Sequence, residues 1–418
     1  MVKVTEKESY LVKPSKETPK VCLWMSNIDQ TYGDALFMYF YRRPALTDAT
    51  NSSSCSHDFF NTTVLEDSLS KALVTYYPIA GRIKRDESDK GRAEIDCTGE
   101  GVRFIKAETD SLIEGLGDFS PTEQLRPLLP NHFNKDDIDS CPILSVQVTH
   151  FKCGGVCLSI TISHKVVDGV SVFNFINTCS DLCQRYKLPY INTSSTSSLS
   201  NPKVATANLN ISTMQVDQLK SQRKKDGSQF TTYEVIAGHL WRCQCKAREL
   251  AENQETVISF SADSRSYLSP PLPDVLFGNS CFSLTPAGIS GDIVSKPLSY
   301  VVGTVHETIS SSRKDEYFSI LGQPLIELHP NISTLTKFPE TFKGCNIRNS
   351  SWVWLPIYEA DFGWGRPVYV GPGFIGFPSR TFLAPKPPGE GTDGGFSLII
   401  SLESDYHMKL FKEYFYNI

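Results

Sequence analysis

The chain has 418 residues, is 40% hydrophobic and 11% aromatic, and carries a formal net charge of −5. That length suits two or three domains, and that composition can bury substantial cores. A mildly acidic chain without long like-charge runs has no field to hold nucleic acid or an anionic membrane, and no stretch approaches the roughly 18 apolar residues of a membrane span.

The first ten residues are charged and lack the apolar region of a secretory signal. The last four match no retention or lipidation signal. Together they predict a cytosolic protein. Residues 36–41 read as a buried strand. Residues 63–76 follow with Val64, Leu65, Leu69, Ala72 and Leu73 on one helical face. Tyr77-Pro78 ends that helix, because proline pushes its predecessor out of the α region. A strand is expected around 93–97. Residues 145–151 and 156–163 alternate and are joined by Lys-Cys-Gly-Gly, a hairpin signal. Residues 169–185 look helical. The stretch 192–202 is almost all Asn, Ser and Thr, so it reads as a surface linker. The Ser-rich residues 47–56 read as a loop. Beyond the linker, 231–252 has helical spacing, and 257–262 and 397–402 read as strands. Helices and strands alternate without strict order, which predicts an α/β protein with mixed sheets. The expected domains are 1–190 and 206–418, joined by a linker at 191–205.

Twelve cysteines show no metal-ligand rhythm, so no metal site is expected and buried free thiols are the plain reading. Gly371-Pro-Gly373-Phe-Ile-Gly376 has the letters of a dinucleotide motif, but Phe-Pro-Ser-Arg follows it instead of a helix. There is no nucleophile elbow, phosphate loop or zinc-protease motif.

The sharpest feature is Ser163-His164-Lys-Val-Val-Asp168-Gly169. Leu158, Ile160, Ile162 and His164 share one parity, so the imidazole continues an apolar strand face. A partly desolvated imidazole favours its neutral form, which is what a general base for an alcohol or amine requires. Read structurally, the same histidine is a satisfied core residue at a strand end. Asp168 either orients His164 or braces the turn, and Gly169 is expected to supply a positive φ. Asp361-Phe-Gly363-Trp364-Gly365 implies tight backbone packing around an indole. Arg265, in Ser261-Ala-Asp263-Ser-Arg265, leaves a strand and needs a partner if buried.

These clusters, in this order, resemble the BAHD family of plant acyl-CoA-dependent acyltransferases. The resemblance extends through Tyr76-Tyr-Pro-Ile-Ala-Gly-Arg82, Thr232-Tyr-Glu-Val-Ile-Ala-Gly-His-Leu-Trp-Arg242 and Phe277-Gly-Asn279. The opening Glu17-Thr-Pro19 and Leu23-Trp-Met-Ser-Asn-Ile-Asp29 is most similar to the hydroxycinnamoyl-CoA:shikimate/quinate and anthranilate branch. The resemblance implies two chloramphenicol-acetyltransferase-like domains with a central solvent channel. It implies a monomer that uses acyl-CoA as co-substrate, with no permanently bound cofactor and a small-molecule acceptor. His164 would be the base and Trp352, in Ser350-Ser-Trp352, the donor to the oxyanion. Asp168 would pair with Arg265 as a brace, and Asp361, Gly363, Trp364 and Gly365 would be structural. Ala35, Phe37, Tyr39, Lys337 and Ser350 would line the acceptor pocket. Lys337 stands where the shikimate-type enzymes carry an arginine, and Ala35 and Phe37 replace small polar residues, so shikimate is expected to be a poor acceptor. Acetyl or benzoyl donors, a hydrolase using His164 with water, and an inactive metabolite-binding homologue are the competing readings.

Overall fold

Contacts divide the chain into two units that are not contiguous in sequence. One comprises Met1–Asn201, Val275–Asn279 and Leu355–Phe374, the other Pro202–Asp274, Ser280–Trp354 and Ile375–Ile418. The structure, a computed structural model, describes every residue except 1, 27–28, 31, 45–58, 87–91, 131–140, 186–203, 222–226, 228, 267–269, 274–275, 313–345, 388 and 390–393. The linker stretch 192–202, the Ser-rich loop 47–56 and Lys337 lie outside the described residues.

In the first unit, strands β1 (Val4–Val12), β2 (Cys22–Trp24), β3 (Asp34–Tyr41), β4 (Arg82–Asp86), β5 (Arg92–Asp96), β6 (Val102–Thr109), β7 (Leu144–Phe151) and β8 (Val156–Ser163) accompany helices α1 (Thr62–Thr75) and α2 (Gly169–Gln184). A six-stranded mixed sheet runs β1-β6-β7-β8-β3, and its last strand is Tyr369–Pro372 from the far half of the sequence; β2, β5 and β4 form a separate small sheet. β7 and β8 form the expected hairpin, with Gly154 at φ 79° in its turn. Every residue of β8 is buried. The alternation in its sequence therefore separates two covered faces rather than a wet and a dry one. α1 begins at Asn61, whose side chain accepts from the Thr63 amide at 2.9 Å, and buries the expected Val64, Leu65, Leu69, Ala72 and Leu73.

The second unit is built from β9 (Ala205–Ile211), α3 (Thr213–Lys220), α4 (Thr232–Ala247), β10 (Glu255–Asp263), β11 (Cys281–Leu284), β12 (Ala287–Ile289), α5 (Ser290–Ser295), α6 (Leu298–Ser312), β13 (Ile347–Ser351), β15 (Arg380–Pro385), β16 (Phe396–Leu402) and α7 (Asp405–Tyr416), the strand Tyr369–Pro372 being β14. Its sheet runs β11-β10-β13-β15-β16-β9, with β12 beside β10. β10, β13 and β15 are mutually parallel and the other pairings antiparallel. α4 starts at a capping box, in which Thr231 and Glu234 each bond the other's backbone. Its Val235, Ile236, Leu240 and Trp241 pack in one core with Ile258, Ile347, Leu383 and Leu398 from the strands. Burying each such side chain contributes about 1.5–3 kcal/mol. α4 ends at Ala247, short of the expected 252, because Glu249 takes a left-handed φ of 51° and the Glu249 and Leu250 amides fold back onto the Lys246 and Cys245 carbonyls at 3.1 and 3.3 Å.

Candidate active site

His164 follows the last residue of β8, and its backbone N–H donates to the Gly33 carbonyl at 2.9 Å, one step beyond the β3–β8 pairing. Its ring stacks flat on Tyr32, with centroids 4.3 Å apart and planes 12° apart. Stacking of this kind fixes the ring's plane without using its nitrogens. The residue is partly exposed, so the imidazole is both oriented and reachable. The His164 carbonyl accepts from the Asn279 side-chain nitrogen at 2.9 Å, and the same nitrogen reaches the Lys165 carbonyl at 3.1 Å and Asp29 Oδ1 at 2.8 Å. Lys165 Nζ donates to the Gln30 carbonyl. Burial holds this ammonium below the ordinary lysine value, with Asp34 and Asp29 opposing that shift.

Asp168 is 1% exposed and is the N-cap of α2, its Oδ1 accepting from the Ser171 amide at 2.9 Å. Ser171 Oγ in turn donates to the Gly278 carbonyl at 2.9 Å and accepts from the Gly278 amide at 3.0 Å. The segment Phe277-Gly-Asn279 thus clasps both ends of the histidine motif. Gly169 is not at positive φ, contrary to expectation. It is a helical residue, and a Cβ there would come 3.0 Å from Leu355 Cδ1, so what the position requires is room.

The Asp361 loop is a turn closed on its own aspartate. Asp361 Oδ1 accepts from the Gly363 and Gly365 amides, each at 2.9 Å, and the two glycines have φ of 92° and 102°. Trp364 packs on Phe60 at 5.0 Å, and Phe362 on Phe60 at 6.1 Å. Tyr41 Oη donates to the Ala360 carbonyl at 2.8 Å, which ties the loop to β3. Ala35, Phe37 and Tyr39 on β3 stand opposite Ile162, Ile160 and Leu158, on the face that His164 continues. Phe37 is buried edge-on against Phe173 of α2, at 5.3 Å. Tyr39 is wholly buried, which pushes its phenol up, and its hydroxyl has no hydrogen-bond partner among the described residues.

In the second unit, Arg265 is 2% exposed and ion-pairs with Asp263 Oδ1 at 3.0 Å. Its carbonyl accepts from the Leu272 amide at 2.9 Å. Trp352 follows β13, where its amide donates to the Leu383 carbonyl at 2.7 Å and its indole lies 5.1 Å from the Phe382 ring. Ser350 is partly buried on β13, two residues earlier. Tyr32 and Asn279 were missed as site residues in the sequence. Asn279 stood in a recognised segment with no role attached, and Tyr32 carries no local signal at all. Among the described residues no cluster of three or more His, Cys, Asp or Glu is placed to hold a metal ion, and no helix is long and apolar enough to cross a membrane.

The profile of the transferase family matches residues 2–203 and 184–418. Shikimate O-hydroxycinnamoyltransferase of Nicotiana tabacum is 39% identical over all of both chains. Rosmarinate synthase of Plectranthus scutellarioides is 36% identical, again over all of both. Among solved structures, vinorine synthase superposes with a TM-score of 0.73 at 20% identity, covering 98% of this chain and 96% of its own. F. graminearum TRI101, complexed with coenzyme A and T-2 mycotoxin, gives 0.71 at 17% identity, covering 94% and 97%. These two share the fold. Full-length identity to named acyltransferases and the matching profile place the chain in the transferase family, the BAHD acyl-CoA-dependent acyltransferases.

Proposed function

We propose that the protein transfers a hydroxycinnamoyl or other aromatic acyl group from coenzyme A to a hydroxyl or amine of a small specialised metabolite, with His164 as general base. The observation that carries this is the stacked, partly exposed imidazole at the end of β8, in a chain similar over its whole length to hydroxycinnamoyltransferases. The neutral ring nitrogen takes the acceptor's proton as its oxygen or nitrogen attacks the thioester carbonyl. The tetrahedral oxyanion receives a hydrogen bond from the Trp352 indole N–H. Its collapse expels the coenzyme A thiolate, which takes the proton back from the imidazolium. No acyl-enzyme forms. Asp168 holds α2 and the motif in place and does not touch the proton in transit. The protein acts as a monomer in the cytosol, with acyl-CoA as co-substrate and no resident cofactor.

Apolar residues at Ala35 and Phe37 favour an aromatic acceptor over a polyol, so shikimate should turn over more slowly than an aromatic acceptor. Equal rates on shikimate and the best aromatic acceptor would refute that preference. The central experiment supplies p-coumaroyl-CoA with shikimate, quinate, anthranilate, phenolic amines or alkaloid alcohols, following thiol release and product mass. Release that requires an acceptor is the expected result. Release without one means hydrolysis. Silence with p-coumaroyl-, benzoyl- and acetyl-CoA alike means an inactive binding protein.

A further inference from the structure

Tyr32 and His164 lie on chain segments that are pinned to the same few groups. The Gly33 carbonyl accepts from the His164 amide at 2.9 Å. Two residues before Tyr32, the Gln30 side chain pairs with the backbone of Ala93, donating from Nε2 at 2.8 Å and accepting at Oε1 at 3.0 Å. The Gln30 carbonyl accepts from Lys165 Nζ, and the Asp29 carbonyl accepts from the Tyr32 amide at 3.3 Å. Asn279 joins both segments through one nitrogen, which reaches Asp29 Oδ1 and the His164 carbonyl. Gln30 is buried, so its bonds form away from competing water. Both rings therefore stand on fixed backbone. Their parallel contact, with centroids 4.3 Å apart and planes 12° apart, is imposed from both sides.

That contact has an electrostatic consequence. The face of an aromatic ring is negative and its edge positive. A cation within about 6 Å of the ring centroid is attracted to that face, and a neutral imidazole gains no such attraction. When His164 takes the acceptor's proton, its ring goes from neutral to a unit positive charge. The electron pair of the broken O–H or N–H bond goes into the bond forming at the thioester carbonyl. Tyr32 thus holds the imidazole more strongly after proton transfer than before it, and only such a difference lowers the barrier. The other charges near the motif are Lys165 and Asp168 on its own segment, Asp34 opposite Ser163 on β3, and Asp29 and Arg85, which with Asp34 act on the Lys165 ammonium. All of them stay in place when Tyr32 alone is changed.

We propose that Tyr32 is a positioning residue for the base, whose ring holds the imidazole plane and stabilises the imidazolium formed as the acceptor's proton arrives. The inference rests on the reading above that His164 is the base. Both effects belong to the aromatic ring and neither needs the hydroxyl. Tyr32 is partly exposed, so a leucine there removes the negative face without opening a buried cavity.

The test is an NMR titration of the imidazole in the full chain, in wild type, Tyr32→Leu and Tyr32→Phe. The chain has eight histidines, and the resonance missing from His164→Ala identifies the one to follow. The stacked ring favours the protonated form, so Tyr32→Leu should lower the midpoint by about 0.4–0.7 pH unit. Tyr32→Phe keeps the ring and should hold the wild-type midpoint. In kinetics with p-coumaroyl-CoA and its fastest acceptor, the acidic limb of kcat/KM should move down by the same amount in Tyr32→Leu. Plateau kcat should fall about 2–10-fold, with the thioester KM unchanged. A merely structural role would lower kcat or Tm and move neither midpoint. An unmoved or raised midpoint in Tyr32→Leu overturns the proposal. So does a Tyr32→Phe midpoint as low as that of Tyr32→Leu, which would assign the effect to the hydroxyl. The titration needs no turnover. An unmoved midpoint while His164→Ala is inactive therefore overturns the stack and spares the base reading. A lowered midpoint while His164→Ala keeps its turnover overturns the base reading, and with it the effect of the stack on rate.

Discussion

β8 and the β13–β15 pair use strand alternation in opposite ways. Each residue of β8 is buried, and the strand delivers its histidine, His164, only after it ends. β13 and β15 put one face in a core and set Arg348 and Arg380, in register near the start of each strand, on the other. A strand covered on both faces has no side to spare for polar chemistry, so its function sits at its tip, held by neighbours such as Tyr32 and Asn279. A strand with one apolar face in a core can carry polar side chains along the other.

The largest expected effect tests the tip of β8. His164→Ala should lower kcat by about 10²–10⁴-fold, as loss of a general base does, with the melting temperature unchanged. A loss below tenfold would move the base elsewhere. The second test falls on the core behind the other sheet, where His239 Nε2 donates to the Phe415 carbonyl at 2.9 Å and the Cys243 thiol lies 3.8 Å from Nδ1. Burial depresses this imidazole to about 4. The unfolded chain therefore binds a proton between pH 6.5 and 4 that the folded chain refuses. Stability is complete above pH 6.5 and should fall by up to about 3 kcal/mol as pH drops toward 4. Urea midpoints measured across that range should lose this slope in His239→Gln, and an unchanged slope would exonerate the residue. Third, Trp352→Phe keeps the aromatic packing on Phe382 and deletes the N–H. It should cost kcat up to about 10²-fold with little change in stability. Wild-type turnover in that variant would leave Trp352 a packing residue. The smallest effect is at Asp168. Asp168→Ala loses the cap of α2 and should cost about 0.5–2 kcal/mol, and Asp168→Asn, which still offers an oxygen, should cost less. A soluble variant of full stability and no activity would make Asp168 part of the chemistry instead.

Much of the frame was readable from local pattern. α1 and α2 declare themselves through 3.6-residue spacing and a clear stop or start, at Tyr77-Pro78 and at Asp168. β1 did not, because its Val4–Val12 sequence is heavily charged. Those charges are satisfied across the strands, by Lys7 with Glu108 at 2.9 Å and Glu8 with Lys106 at 3.0 Å. An edge strand with such a face looks like a solvated tail until its partner is known. The helix α7 was missed for want of a contiguous apolar run, since only Met408, Phe411 and Phe415 are buried. At the site, the motif named His164 and Asp168, but only the fold brings Tyr32 and Asn279 beside the histidine, while the Asp361 loop sits at the other end of α2, where the Gln184 side chain donates to the Asp361 carbonyl. The alignment of Arg348 with Arg380 was invisible for the same reason, because register between β13 and β15 is not written in either strand alone.

The return of residues 355–374 to the first unit has a consequence for how the protein is made. Tyr41 on β3 reaches Ala360 across 319 residues, and β14 closes that edge of the sheet only after most of the second unit's sequence has been synthesised. During synthesis β3 waits with an open edge, a template for pairing with other chains. The first half therefore cannot be completed in the order in which it leaves the ribosome. A fragment that stops before residue 355 should be prone to aggregate although it contains the whole histidine motif.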